Sequence, residues 1–167
     1  MATFIFVAGA PGVGKSVVSA ALRQRLDSPL FEFGWIPEFR NTGHTQTTYE
    51  EDEALAFENL VLVAKNYAAH KYQNVIITDL ENHRIEQLDE EFSDYSYHIF
   101  TLRQVDEDLL KKQILDQSRS SGYRDWEQAL RINKDLLERD PLKNESFIDV
   151  GQRSIEDVVD EIEAAIK

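Results

Sequence analysis

The sequence predicts an α/β fold, a parallel sheet with helices on both of its faces. Three observations carry that expectation. Short apolar, β-branched and aromatic runs alternate along the chain with longer stretches of helical apolar spacing. Three of the seven glycines fall at Gly9, Gly12 and Gly14 in "GAPGVGKS", between a predicted strand and a predicted helix. The length of 167 residues suits a single domain, residues 1–167, with a full hydrophobic core.

The elements follow in order. "TFIFVA" (Thr3–Ala8) is a buried strand. From Lys15 to Leu26, the residues Val17, Val18, Ala21, Leu22 and Leu26 keep helical spacing. Leu30–Phe33 is a short strand broken by Gly34 and Pro37, and a polar stretch, "RNTGHTQTT", comes after it. Thr48 opens a capping box with Glu51. The long helix behind it carries Leu55, Leu60, Val61, Ala64, Tyr67 and Ala68 and ends near Lys71. Asn74–Leu80 and Tyr97–Leu102 are the next two strands. Val105, Leu109 and Ile114 mark a helix, and "RSSGYRD" (Arg119–Asp125) is a polar loop. A helix over Trp126–Arg139 stops before Pro141, and Ser146–Val150 is the fifth strand. Ser154 and Asp157 form a second capping box, opening a last helix with Ile155, Val158, Val159 and Ile162 turned inward.

Composition narrows the function. The formal net charge of −13 gives nothing to counterion release on DNA or RNA, so no nucleic-acid partner is expected. It equally disfavours an anionic membrane surface. The acidic runs, such as "EEDE" at 50–53, read as solvated helix faces. Without cysteine, disulfides, thiolate metal sites and cysteine nucleophiles are excluded. No apolar run approaches the length of a membrane span. A cytoplasmic monomer or homodimer is expected.

"GAPGVGKS" fits G-x-x-x-x-G-K-[ST], a phosphate-binding loop. Glycine lets the backbone take positive φ and approach a phosphate without a Cβ clash. Gly9, Ala10, Pro11, Gly12, Val13, Gly14, Lys15 and Ser16, with Val17 behind them, would form a ring of N–H groups at the positive end of a helix. Lys15 reaches the β- and γ-phosphates, and Ser16 offers its hydroxyl to Mg²⁺. A metal partner is expected at the end of a buried strand, where "NVIITD" ends in Asp79. Asp79 could instead cap the next turn, and Glu81 is the reserve. "NKDL" at 133–136 resembles a guanine-reading motif, but its acid stands one place early and inside a helical pattern. ATP rather than GTP is therefore expected.

Together, "FIFVAGAPGVGKS", "NVIITDLE", "KKQILDQSRSSGYRDW" and "FIDVGQRSIEDVVDEIEAAI" resemble the small nucleotide-kinase-like P-loop kinases. That group includes adenylate, shikimate and gluconate kinases and the chloramphenicol phosphotransferases. The resemblance implies a three-layer α/β/α P-loop NTPase fold with a five-stranded parallel sheet of order 2-3-1-4-5. It implies a lid at about 118–126, with Arg119 and Arg124 in the positions that clamp the nucleotide and the transferring group. Alternatively these arginines pair with acids such as Asp116 and Asp125. It also implies that the turn Gly151–Ser154, with Gly151 and Gln152, holds adenine.

One departure matters. Many members that act on small molecules carry an aspartate just after the second strand as base. Here "FEFGWIPEFRNTG" has Trp35 and Ile36 after Gly34, and the nearest carboxylate beyond them is Glu38. Strand alternation sets Glu32 between Phe31 and Phe33, opposite or at a flank, as the weaker candidate. "PEFR" resembles the nucleoside-type kinases and favours a nucleoside-like acceptor. The expectation is an ATP- and Mg²⁺-dependent phosphotransferase acting on a small hydroxylated acceptor. Glu38 would be its base, with Arg40, Arg84 and Trp35 on the substrate side and Phe39 able to stack. Trp35 and Phe39 could equally be ordinary core or rim aromatics. The rival reading is a non-catalytic ATP-binding or regulatory module, with at most weak ATPase activity.

Overall fold

A computed structural model of the chain describes residues 3–36, 47–118 and 122–167. Its strands are β1 (Thr3–Gly9), β2 (Leu30–Glu32), β3 (Asn74–Thr78), β4 (Ser96–Arg103) and β5 (Glu145–Asp149). They pair in parallel in the order β2-β3-β1-β4-β5, as expected. The helices are α1 (Lys15–Leu26), α2 (Tyr49–Ala69), α3 (Asn82–Glu91), α4 (Glu107–Leu115), α5 (Trp126–Glu138) and α6 (Ile155–Ala165).

β1 lies in the middle of the sheet and is buried on both sides, which is why it reads as an unbroken apolar run. Phe4, Phe6 and Ala8 join side chains of α2 and α3, including Phe57, Leu60 and Leu88. Ile5 and Val7 join side chains of α1, α4 and α6, including Leu22, Leu110 and Ile162. The two sets alternate along the strand, so each face of the sheet has its own core. Phe92 packs at 4.6 Å from the Phe4 ring and 5.1 Å from Phe6. Burying one such ring is worth about 1.5–3 kcal/mol. Both expected capping boxes form, at Thr48 with Glu51 and at Ser154 with Asp157.

The structure departs from the sequence reading in four places. β2 ends at Glu32, and Phe33–Trp35 form a 3₁₀ turn that buries Phe33 and leaves Trp35 exposed. β3 ends at Thr78, so Asp79 stands past the end of the sheet. Helix α3 was not expected, because it buries only Ile85 and Leu88. Ile155, expected to face inward, is exposed, as are Val17 and Leu55 on their helices, and Val105 lies exposed ahead of α4 rather than within it.

One buried polar network organises the end of β4. The Gln104 backbone N–H donates to Asn133 Oδ1 at 2.9 Å, and its carbonyl accepts from Asn133 Nδ2 at 2.6 Å. The Gln104 side chain donates to the Gly151 carbonyl at 3.1 Å and accepts from the Asp106 N–H at 3.1 Å. Two side chains thus tie α5, the start of α4 and the turn after β5 to one strand end, and the two bonds between Gln104 and Asn133 are fully buried. Asn133→Ala strips the partner from two buried backbone groups. It is expected to destabilise the fold by roughly 2–4 kcal/mol in urea unfolding. A loss below about 0.5 kcal/mol would show that the network is idle.

Candidate active site

The phosphate loop joins β1 to α1, and two of its glycines have no substitute. Gly9 has φ +136°, and a Cβ there would meet the Leu102 carbonyl oxygen at 2.4 Å. Gly12 has φ +89°, and its Cβ would meet Ile114 at 2.5 Å. The loop is therefore pressed against β4 on one side and α4 on the other. Gly14 takes the N-cap position of α1, and the first N–H groups of that helix have no partners within it. Those groups and the positive end of the helix suit an anion.

Lys15 folds back over the loop. Its ammonium donates to the carbonyls of Gly9 at 3.0 Å and Ala10 at 3.2 Å and lies 3.6 Å from Asp79 Oδ1. Burial pushes its pKa below the usual lysine range, against the pull of Asp79. Asp79 sits at φ +67°, a left-handed backbone uncommon for a residue other than glycine. Such strain gathers where a side chain must be aimed.

These groups line a cleft of about 610 Å³ together with Pro11, Ser16, Glu32, Tyr123 and Arg124. Ser16 and Asp79, the expected Mg²⁺ residues, lie in this one space. Among the described residues, no group of three or more His, Asp or Glu side chains could hold a metal ion. A Mg²⁺ ion here would take most of its oxygens from phosphate and water, as Mg²⁺ commonly does. A hydroxyl and one carboxylate fit that part.

Glu32 corrects the sequence reading. Expected on the far side of its strand or at a flank, it lines the cleft with Lys15 and Asp79. The cause is β2 itself, which stops at Glu32 in register with Thr78, so Glu32 stands at the sheet end beside Asp79. Burial, then the Asp79 carboxylate, push the Glu32 pKa up, while Lys15 pulls it down. The signal was in the sequence: Glu32 comes just before the Gly34 break, at the carboxyl end of a parallel strand, where such sheets bind ligands.

The other expected residues divide. Val13 is buried under the loop, and Val17 is at the cleft. Arg124 lines the cleft and donates to the Tyr123 carbonyl at 2.7 Å. Asp125 caps α5 through the Gln128 N–H, and Asp116 accepts from Ser118. Gly151 lines a neighbouring cavity of about 150 Å³ with Gly12, Val17 and Ile155, whereas the exposed Gln152 does not line it. Trp35 is turned by the 3₁₀ segment into a separate groove beside Phe31, Tyr67 and Tyr72. Glu38, Phe39, Arg40 and Arg119 lie outside the described residues.

Arg84, expected on the substrate side, is committed to the protein. It donates through Nε and Nη2 to the Glu53 carboxylate and through Nη1 to Gln87, and lies 4.7 Å from the Phe57 ring centroid. Glu53 comes from α2, 31 residues earlier, a pairing that spacing cannot reveal. His83 lies between Glu53 at 3.6 Å and Glu81 at 3.5 Å, and the Tyr49 hydroxyl donates to Glu81. That bond, with burial, pushes Tyr49 up to about 12.

No family model matches the chain, and no curated protein matches its sequence. Solved structures do match. The tunicamycin resistance protein of Deinococcus radiodurans superposes with a TM-score of 0.69 at 19% identity, over 99% of this chain and 96% of that one. A gluconokinase from Sinorhizobium meliloti gives 0.64 at 17% identity, over 95% and 88%. The thymidylate kinase of Candida albicans gives 0.60 at 18%, over 99% and 91%. The chain has the fold of the P-loop kinases. Within that fold the cleft lies where the phosphate loop, the ends of β2 and β3 and the start of α5 meet. Among the described residues, no helix is long and apolar enough to cross a membrane.

The hydrogen bonds from Arg84 hold the Glu53 carboxyl below the usual range, although burial opposes them. A depressed carboxylate stabilises the fold above its unfolded pKa and loses that contribution as pH falls through the folded value. Arg84→Ala is expected to cost about 1.5–3 kcal/mol at pH 7. The difference from the parent should shrink as pH drops below about 4. Urea unfolding at stepped pH reads this, and a pH-independent difference would rule the pairing out as its source.

Proposed function

We propose that the chain is an ATP- and Mg²⁺-dependent phosphotransferase acting on the hydroxyl of a small acceptor. One observation carries this reading. The phosphate loop, the buried ammonium of Lys15 and two carboxylates from separate strand ends, Asp79 and Glu32, converge on a single cleft. Phosphoryl transfer is mostly positioning and charge neutralisation, and these groups are suited to both. The N–H groups of the loop hold the phosphates. Lys15 exchanges its contacts with Gly9, Ala10 and Asp79 for phosphate oxygens, which releases the Asp79 carboxylate. Ser16 and Asp79 would hold Mg²⁺, which supplies positive charge across the phosphates when bound. Arg124, which also lines the cleft, would serve as a further cation for the transferring group. Fold neighbours that are a gluconokinase and a thymidylate kinase support the reaction class.

Lys15→Ala tests the reading. Calorimetric affinity for Mg·ATP is expected to fall roughly 10–100-fold, the worth of a charge-assisted contact. Circular dichroism should show the same helix and strand content, because α1 keeps its Gly14 cap. A variant that binds Mg·ATP like the parent would remove the phosphate role of Lys15.

A further inference from the structure

We propose that Gln104 is a positioning residue: its buried side-chain amide spaces the phosphate loop from the turn after β5, and that spacing lets the loop discriminate a nucleotide from a bare polyphosphate. The proposal rests on the phosphotransferase reading above and concerns the far end of the phosphate donor.

Two cavities meet at the loop. The main cleft, with Lys15 and Asp79, and the smaller cavity of about 150 Å³ share Gly12, Gly14 and Val17. A triphosphate laid along the loop with its γ end by Lys15 and Asp79 leads, past the shared residues, to the smaller cavity. Two apolar side chains line that cavity while open to solvent, Val17 at 49% exposure and Ile155 at 41%. They come from the first turns of α1 and α6, and the buried Val150 and Val158 line the same space. Such a lining suits the apolar faces of a planar ring, the group that a nucleotide carries and a bare polyphosphate lacks.

Gln104 lies outside both linings and is fully buried, yet its amide reaches both walls of the smaller cavity. Oε1 accepts the Asp106 N–H at 3.1 Å, and the Asp106 carboxylate accepts the Leu109 N–H at 3.0 Å, which fixes the first turn of α4. α4 carries Ile114, which leaves no room for a Cβ on Gly12, on the loop side of the cavity. Nε2 donates to the Gly151 carbonyl at 3.1 Å, on the turn side. That turn is also held to β4 through the Val150 N–H, which donates to the Arg103 carbonyl at 2.9 Å. It closes through the Arg153 N–H, which donates to the Val150 carbonyl at 2.9 Å, with Gly151 at φ +49° between them. One flat amide thus stands between α4 and the Gly151 turn, and its fixed length sets their separation.

The backbone of Gln104 is held in turn. Asn133 belongs to the segment at 133–136 that resembles a guanine-reading motif. It is buried, with both ends of its amide on the Gln104 backbone, as a neighbouring strand would be. A buried amide bonded at both ends fixes direction as well as distance, which an apolar side chain of equal length does not.

Gln104→Met keeps the length and removes both side-chain bonds. Calorimetry of the full chain with Mg·ATP and with Mg·tripolyphosphate reads the ratio of the two affinities. The parent is expected to bind Mg·ATP at least roughly 10-fold more tightly. In Gln104→Met, Mg·ATP should weaken roughly 10-fold, the worth of one or two hydrogen bonds. Mg·tripolyphosphate should stay within about twofold, because Leu102 beside Gly9 and the Lys15 bonds still hold the loop. A merely structural role lowers the folded fraction and weakens both ligands alike; an unchanged ratio therefore overturns the proposal. Equal binding of the two ligands by the parent also overturns it and leaves the phosphate role of the loop standing. If Gln104→Met does not fold, amide hydrogen exchange on the parent decides. Mg·ATP, and not Mg·tripolyphosphate, is expected to slow exchange at Asp106, whose N–H is bound to Gln104, and at Arg153 in the turn. Equal protection by both ligands, or by neither, overturns the proposal. Failure of the parent to bind Mg·ATP overturns the phosphotransferase reading instead.

Discussion

The ammonium of Lys15 is buried against the carbonyls of the loop it closes, and most of the cleft follows from where that charge is held. A buried lysine is costly unless oxygens surround it, and here two carbonyls and the Asp79 carboxylate do so. The same contacts tie the side chain of Lys15 back onto the loop. Gly9 and Gly12 are required because the loop leaves no room for a Cβ beside Leu102 or Ile114. The loop is thus clamped by β4, by α4 and by its own lysine, leaving the cleft face for an anion. The pull of Asp79 and the push of burial on Lys15 act in opposite directions. Exchange of one oxygen set for another, protein for phosphate, then needs little rearrangement.

The sheet does the rest of the positioning. In a parallel sheet every strand ends on the same side, so chemistry-bearing residues gather there from distant parts of the sequence. Residues 9–16, Glu32 and Asp79 meet for that reason. The Thr78 hydroxyl, bonded to the Val7 carbonyl at 3.0 Å, ties the end of β3 to that of β1 and holds the approach to Asp79. On the other side, Gln104 links the start of α4, α5 and the turn at Gly151. The walls of the cleft are therefore anchored to strand ends, while its floor is the loop.

Much of this was legible in the sequence. β1 and α1 were readable because a continuous apolar run and a helical repeat flank a motif with a rigid geometry. Both capping boxes were readable because they are local patterns of four residues. α3 was missed because it buries few apolar residues, although Ile85, Leu88 and Phe92 follow helical spacing. Glu32 reads as the weaker candidate because alternation along a short strand cannot say where the strand stops, and the 3₁₀ turn after it changes the phase. Arg84 looked available because its partner, Glu53, lies on another helix. Local rules gave the elements and the loop. The commitments of long charged side chains depend on tertiary contacts, which no local pattern encodes.

The central claim is that the loop between β1 and α1 binds phosphate. Parallel calorimetric titrations of the full chain with Mg·ATP, Mg·ADP and adenosine test it most directly. The account predicts tight binding of both nucleotides and adenosine weaker by at least about 100-fold, since the N–H ring, the helix end and Lys15 all act on phosphate. Adenosine binding as tight as Mg·ATP, or no binding of either nucleotide, would contradict it.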